Sequence, residues 1–136
     1  MRDCAVLVID DEESIRMLLE EGLSSHGVTV ACAANSNEAL RQARGRSYDI
    51  LLCDMNLVNS GGVKVSGREV VEEIIAELGG ADRPSAIYMT GDLVAPASPL
   101  AGSREPRFLQ KPFRIADVLT MIQEVRSLKR LENVKG

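Results

Sequence analysis

The sequence has no excess of positive charge, no closely spaced pair of cysteines and no long apolar segment. There are 16 Lys and Arg residues against 20 Asp and Glu residues, a formal net charge of −4, and the sequence pI is near 5.1. A surface that binds DNA or RNA needs clustered Lys and Arg to replace phosphate counterions. The charge balance therefore argues against direct nucleic-acid binding, and the acids are free to be concentrated at a site.

The cysteines and the lack of a membrane signal indicate where in the cell the protein is located. Cys4, Cys32 and Cys53 are an odd number without C-x-x-C spacing, and each lies in or beside an apolar run. They are expected to be small buried hydrophobic residues in a reduced cytoplasm. No apolar run approaches the ~18 residues of a membrane span, and the start lacks a signal-peptide pattern. We expect a soluble cytoplasmic protein with no membrane partner.

What is present is an ordinary globular composition, with 45% hydrophobic and 26% charged residues. A chain of 136 residues is long enough for one well-cored domain and too short for two. We therefore expect a single domain over 1–136, with a core at about 4–131 and a short tail at 132–136.

Short apolar runs alternate with segments of helical periodicity. β-branched runs predict strands, and apolar residues spaced by three and four predict helices. A capping pattern, Asn35-x-x-Glu38, marks one helix start, and Gly27 marks one helix end. Leu18 and Leu78 are assigned to the apolar faces of the first and third helices. The predicted strands are 5–9, 28–32, 50–53, 86–89 and 108–110, and the predicted helices are 15–23, 35–44, 68–78 and 115–131.

Strict alternation of strands and helices predicts an α/β fold. Parallel strands joined by right-handed crossovers place helices on both faces of the sheet, which gives a three-layer sandwich with a five-stranded parallel sheet. In such sheets, ligands bind at the carboxyl ends of the strands.

Polar residues follow four of these strands at that edge. Three carboxylates held close together repel one another unless a cation lies between them. Oxygen ligands without His or Cys suit Mg²⁺, or alternatively Mn²⁺, while a hydroxyl and an ammonium could hold the oxygens of a phosphoryl group. The residues at the edge are Asp10, Asp11 and Glu12 after the first strand, Asp54 after the third, Thr90 after the fourth, and Gln110, Lys111 and Pro112 after the fifth.

Each of these features alone has an ordinary structural explanation. Acids before a helix stabilise its N-terminus, Thr90 is a β-branched strand residue, and Lys111-Pro112 is a turn dipeptide. Asp54 could cap the turn that follows it. The coincidence of all four at one sheet edge favours a functional site.

The combined motifs resemble the receiver domain of two-component response regulators, the CheY-like family. The resemblance is carried by DD at 10–11, LLCD ending at 54, MTG at 89–91 and QKPF at 110–113. It covers about residues 4–131 and implies a flavodoxin-like fold with strand order 2-1-3-4-5.

The resemblance also implies roles for individual residues. Asp54 would be the phosphoacceptor. Asp11, Asp54 and the backbone carbonyl of Asn56 would bind Mg²⁺ directly, and Asp10 would act mainly through metal-bound water. Thr90 and Lys111 would bind phosphoryl oxygens, Thr90 and Phe108 would form the switch, and the Lys111-Pro112 bond would be cis. The phosphodonor would be a sensor histidine kinase or a histidine phosphotransfer protein, and the output an unknown protein target.

Two segments depart from the family pattern. The stretch VNSGGVKVS, 58–66, is an enlarged loop next to the expected metal site, and Gly67 follows it at the start of the third helix. It is either a tolerated surface insertion or an element that gates the site or contacts the phosphodonor through Lys64. Between Thr90 and Lys111, three prolines predict a fourth helix that is short or irregular, around 98–102.

Two other functional classes remain as alternatives. A receiver-like module could bind partners without being phosphorylated. A haloacid-dehalogenase-like phosphohydrolase also uses a strand-end Asp, but it needs a second acid two residues later, where this chain has Asn56, and an amide cannot transfer that proton. We therefore expect no enzyme activity beyond the chain's own phosphorylation and dephosphorylation. Whether the chain is a stand-alone receiver or a fragment of a larger regulator stays open.

Overall fold

A computed structural model describes residues 4–78, 83–91 and 107–135, with side chains described as far as residue 128. In chain order, the elements are β1 Ala5–Ile9, α1 Glu13–Ser24, β2 Thr29–Ala33, α2 Ser36–Gly45, β3 Ile50–Asp54, β4 Asn56–Val58, β5 Lys64–Ser66, α3 Gly67–Leu78, β6 Ser85–Thr90, β7 Arg107–Gln110 and α4 Ile115–Lys135.

Five parallel strands form the main sheet in the order β2-β1-β3-β6-β7. This confirms the predicted order 2-1-3-4-5, because β6 and β7 are the fourth and fifth strands of this sheet along the chain. The two short strands β4 and β5 form a separate antiparallel hairpin between β3 and α3. The segment predicted as an enlarged loop is therefore an ordered hairpin.

Among residues 4–78, 83–91 and 107–135, two helices cover each face of the sheet, in agreement with the three-layer prediction. Side chains alternate between the faces along every strand, because the strand repeat is two residues. One face packs on α1 and α4 through Leu19, Leu23, Val118, Ile122 and Val125. The opposite face packs on α2 and α3 through Ala39, Ala43, Val70, Val71 and Ile74.

Local sequence signals set the ends of two helices. The Asn35 side chain accepts a hydrogen bond from the backbone N–H of Glu38 at 2.9 Å, and Glu38 accepts one from the backbone N–H of Ala34 at 3.0 Å. These bonds satisfy N–H groups at the start of α2. After α1, Gly27 has φ +84°, which the turn into β2 requires and glycine adopts without strain.

Three sequence predictions are wrong in detail. Leu18 is 45% exposed, because the contact stripe of α1 runs through Ile15, Leu19 and Leu23 and leaves Leu18 beside it. Leu78 is 39% exposed, because it ends α3 one turn beyond the last buried residue, Ile74. Residues 132–135, predicted as a tail, continue α4 as helix.

The cysteines confirm the prediction in part, since Cys4 and Cys53 are buried and Cys32 is half-buried, all three as free thiols. The expected short helix around 98–102 lies outside the described residues.

Candidate functional site

Three acids meet at the carboxyl edge of the sheet, as predicted. Asp10 follows β1, Asp54 ends β3, and these two carboxylates are buried, while Asp11 is exposed. One carboxylate oxygen from each of the three lies within 4.8 Å of the others. β1 and β3 are adjacent parallel strands in register, so their ends bring residues 44 positions apart in the chain to the same edge.

Lys111 brings a positive charge into this cluster. Its Nζ donates to Oδ2 of Asp10 at 2.9 Å and lies 3.5 Å from Oδ2 of Asp54. Glu12 is a third, more distant partner at 3.8 Å, on the solvent side. The backbone N–H of Lys111 donates to the carbonyl of Thr90 at 2.7 Å, which fixes the lysine to the end of β6, and the Lys111-Pro112 peptide is cis, as expected.

Burial and hydrogen bonding act in opposite directions on the pKa values of Asp54 and Lys111. Burial raises the pKa of the Asp54 carboxyl, and Asp10 adds to this, while the Asn56 N–H and Lys111 lower it, so that the pKa is raised overall. Burial alone would lower the pKa of the Lys111 ammonium. The hydrogen bond to Asp10 and the charges of Asp10, Asp54 and Glu12 outweigh this and raise it.

The main chain around Asp54 is held from two sides. The backbone N–H of Asn56 donates to Oδ1 of Asp54 at 3.2 Å, and the N–H of Met55 donates to the Met89 carbonyl at 3.0 Å. The Gly67 N–H donates to the Met55 carbonyl at 2.8 Å, so α3 begins directly against this segment. A Cβ at Gly67 would overlap the carbonyl oxygen of Asp54, so only glycine fits.

The buried thiol of Cys53 lies beneath the same junction. Its Sγ is 3.3 Å from the carbonyl oxygen of Asp54 and 3.7 Å from that of Gly67, both within reach of a weak S–H donor. Burial raises the pKa of this thiol far above its usual value, so it is a neutral packing group.

The two expected switch residues occupy one face of the sheet. Thr90 is buried at the end of β6, one residue beyond the strand partner of Asp54. Phe108 is half-buried on β7 and pairs with Tyr88, two residues before Thr90. Because side chains alternate, Thr90, Tyr88 and Phe108 share the α2 and α3 face of the sheet.

The hairpin of β4 and β5 follows Asp54 closely and lies on the side of the sheet that α2 covers. Its inward pair, Leu57 and Val65, packs on the core, and Leu57 is fully buried. At the tip, the Asn59 side chain accepts hydrogen bonds from the N–H groups of Gly61 at 2.9 Å and Val63 at 3.0 Å. The N–H of Ser60 donates to the Asn37 side chain of α2 at 3.0 Å, which anchors the tip.

Two contributions to the site escaped the sequence analysis. The guanidinium of Arg16 in α1 donates to the carbonyl oxygen of Asp10, six residues earlier in the chain, at 2.9 Å, and so holds the turn between β1 and α1. The hairpin could have been read from the alternation of Asn56-Leu57-Val58 and Lys64-Val65-Ser66 around Asn-Ser-Gly-Gly.

The donor set could hold a divalent cation. Three carboxylate oxygens lie within 4.8 Å of one another, close enough to converge on one ion. Hard carboxylate oxygens are the ligands that Mg²⁺ prefers.

The fold and this edge together define a doubly wound α/β domain with an acidic site, able to hold a metal ion, at the carboxyl ends of its strands. The chain belongs to the response regulator receiver domain family, whose model matches residues 6–123. This confirms the resemblance seen in the sequence motifs.

Individual relatives agree with this assignment. The chain is 28% identical to the regulatory protein VirG of Rhizobium radiobacter over 120 residues, which are 87% of this chain and 42% of VirG. It is 26% identical to the DNA-binding transcriptional regulator NtrC of Salmonella typhimurium over 128 residues, 90% of this chain and 24% of NtrC. The chain thus spans less than half the length of these curated relatives.

Among solved structures, the chemotaxis protein CheY4 of Vibrio cholerae superposes with a TM-score of 0.72. The two sequences are 26% identical, and the match covers 90% of this chain and 98% of CheY4. In the described part of this chain, no helix combines the length and the apolarity needed to cross a bilayer.

Proposed function

We propose that this receiver domain is a phosphoacceptor switch in which Asp54 takes a phosphoryl group from a phosphohistidine partner. The observation that carries the proposal is the meeting of Asp10, Asp11 and Asp54 within 4.8 Å, with the Lys111 ammonium bonded between two of them. The partner would be a sensor histidine kinase or a histidine phosphotransfer protein in the cytoplasm, and the output would go to another protein.

Asp54 is the nucleophile in this scheme. One carboxylate oxygen forms a bond to phosphorus as the bond between phosphorus and the donor's imidazole nitrogen breaks, so the histidine leaves and an acyl phosphate forms. The Asn56 N–H bonded to Oδ1 holds the carboxylate in a fixed orientation for in-line attack.

The remaining residues stabilise the charge of the transferred group. Asp10, Asp11, Asp54 and the backbone carbonyl of Asn56 would hold Mg²⁺, which offsets the negative charge on the phosphoryl oxygens when bound. Lys111 is placed to exchange its bond to Asp54 for a phosphoryl oxygen, because its Nζ already lies 3.5 Å from that carboxylate. Thr90 would bind another oxygen.

Output follows from the charge that Asp54 gains. The acyl phosphate adds about one further negative charge and three acceptor oxygens. Movement of Thr90 toward them changes the space open to Phe108, its neighbour on the same sheet face, and so shifts the population of surface conformations that a target protein recognises. The chain catalyses only its own phosphorylation and dephosphorylation.

Intact-mass analysis with acetyl phosphate tests the proposal. We expect the parent chain to gain one phosphoryl group in the presence of Mg²⁺ or Mn²⁺ and to gain none with a chelator. Asp54→Asn should not be labelled, while Asp49→Asn, a matched change before β3, should be labelled like the parent. Labelling that persists in Asp54→Asn would contradict the assignment, and turnover of a phosphomonoester would indicate a phosphohydrolase.

A further inference from the structure

Phe108 contacts a second aromatic residue, Tyr88, on its face of the sheet. Its ring is stacked against the ring of Tyr88, with centroids 5.7 Å apart and planes 30° from parallel. Tyr88 is 2% exposed, whereas Phe108 is half-buried, so the tyrosine is the fixed member of the pair. A turn of the Phe108 ring must break this stack.

Tyr88 is itself contacted by a charged residue of α3. The guanidinium carbon of Arg68 lies over the Tyr88 ring, 5.9 Å from its centroid, within the range of a cation–π interaction. Burial raises the pKa of Tyr88, while the charge of Arg68 opposes the rise. The cation of Arg68 therefore acts on the tyrosine side chain at short range.

The position of Arg68 is tied to the backbone of the acid site. It follows Gly67, which packs on the Asp54 carbonyl and donates to Met55. Cys53, beneath the same carbonyl, is the strand partner of Tyr88. A continuous set of contacts thus runs from the main chain of Asp54 through the start of α3 to Tyr88 and Phe108, separate from the route through Thr90.

We propose that Arg68 and Tyr88 are positioning residues that hold Phe108 in its resting orientation and set how readily it turns. The inference rests on the proposed function, because it takes Phe108 as the moving part of the switch. The cation at Arg68 keeps the Tyr88 ring in place, and the Tyr88 ring supplies the surface on which Phe108 rests.

The expected effect follows from the strength of aromatic stacking. Such a pair adds about 0.5–1.5 kcal/mol beyond the area it buries, which corresponds to roughly a two- to tenfold change in the ratio of the two Phe108 orientations. Loss of the stack should therefore raise the population of the turned state in the unphosphorylated chain. It should also raise the rate of phosphorylation by acetyl phosphate, by no more than the same factor.

The chain suits a fluorine NMR experiment, because it contains only two phenylalanines, Phe108 and Phe113. With fluorophenylalanine incorporated, Phe113→Leu assigns the signals and Phe113 serves as the internal reference. Spectra are recorded for the unliganded chain and for the chain with Mg²⁺ and beryllofluoride, which mimics the acyl phosphate, so that both end points are defined.

Four variants separate the ring, the cation and general effects. Without ligand, Tyr88→Leu and Arg68→Gln should each move the Phe108 signal toward its position in the beryllofluoride complex. Tyr88→Leu should move it further than Arg68→Gln. Tyr88→Phe keeps the ring and should give a Phe108 signal close to that of the parent; the third fluorophenylalanine signal that this variant adds is identified by combining it with Phe108→Leu. Arg46→Gln removes an equivalent guanidinium, 5.7 Å from the Tyr48 ring, and should leave the Phe108 signal unchanged.

Unchanged unliganded Phe108 signals in both Tyr88→Leu and Arg68→Gln would overturn the proposal. Arg68 is exposed, so its replacement preserves the core and decides the matter if Tyr88→Leu does not fold. Failure of the proposed function gives a different result, since acetyl phosphate would then fail to label Asp54 in the parent, and the comparison of unliganded spectra would still report on the pair.

Discussion

Replacement of Gly67 by alanine tests whether the start of α3 fixes the geometry of Asp54. An added Cβ would lie 2.9 Å from the carbonyl carbon of Asp54 and 3.1 Å from the Cα of Met55, and it would overlap the Asp54 carbonyl oxygen. All three contacts are with backbone atoms, which cannot rotate away as a flexible side chain can. The backbone of residue 54 or the first turn of α3 must therefore move.

The required movement is on the order of 1 Å, and misplacement of a reacting group by this distance costs about 10²-fold in rate. We expect Gly67→Ala to lose roughly that factor in phosphorylation by acetyl phosphate. The overlap should also lower the free energy of unfolding by roughly 1–3 kcal/mol, as overpacking usually does.

The assay pairs intact-mass kinetics with urea unfolding, and Gly45→Ala is the matched control. Gly45 ends α2, and a Cβ there meets nothing within 4 Å. Alanine at this position should leave the rate unchanged and raise the free energy of unfolding by about 0.5 kcal/mol, because the unfolded chain loses conformational freedom. If Gly67→Ala is phosphorylated at the parent rate and is equally stable, the main-chain junction does not position Asp54.

Three further predictions follow from other parts of the molecule. A Cβ at Gly22 would lie 2.5 Å from the side chain of Ile115, so Gly22→Ala should destabilise the fold by roughly 1–2 kcal/mol, and adding Ile115→Val should recover part of this loss in a double-mutant cycle. Burial and the neighbouring Glu20 raise the pKa of Cys32 to about 11. Its alkylation by iodoacetamide should therefore keep accelerating as the pH rises from 8 to 10, and Glu20→Gln should speed alkylation at pH 8. Equal alkylation rates in the parent and in Glu20→Gln would contradict this. Deletion of residues 60–64 should alter the rate of phosphorylation or dephosphorylation if the hairpin contacts the donor, whereas unchanged rates would indicate a tolerated surface insertion.

The residues of the acid edge could be predicted from the sequence because strand ends are a local signal. An apolar run that stops at Asp54 fixes both the strand and the edge at which the carboxylate lies, and parallel pairing brings Asp10 to the same edge. The cap at Asn35 and the turn at Gly27 are also local, since each depends on a few neighbouring residues.

Contacts that depend on packing between elements were not predictable in this way. Leu18 belongs to a helical apolar pattern, but the width of the buried stripe depends on how α1 sits on the sheet. The stack of Tyr88 and Phe108 requires the register between β6 and β7, and the overlap at Gly67 requires the path of the chain after the hairpin. The sequence of the hairpin did contain its signal, since alternation around an Asn-Ser-Gly-Gly turn is typical of paired strands.

The pairing of Leu57 with Val65 limits how this insertion can vary in length. Both side chains face the core, so one extra residue in either strand would rotate that strand's side chains to the opposite side. A cross-strand pair added beyond Val58 and Lys64 would lengthen the hairpin into solvent without changing the register near Asp54. Peptide tags or reporter groups should therefore be grafted in the turn between Val58 and Lys64, where they leave the pairing of Leu57 with Val65 unchanged.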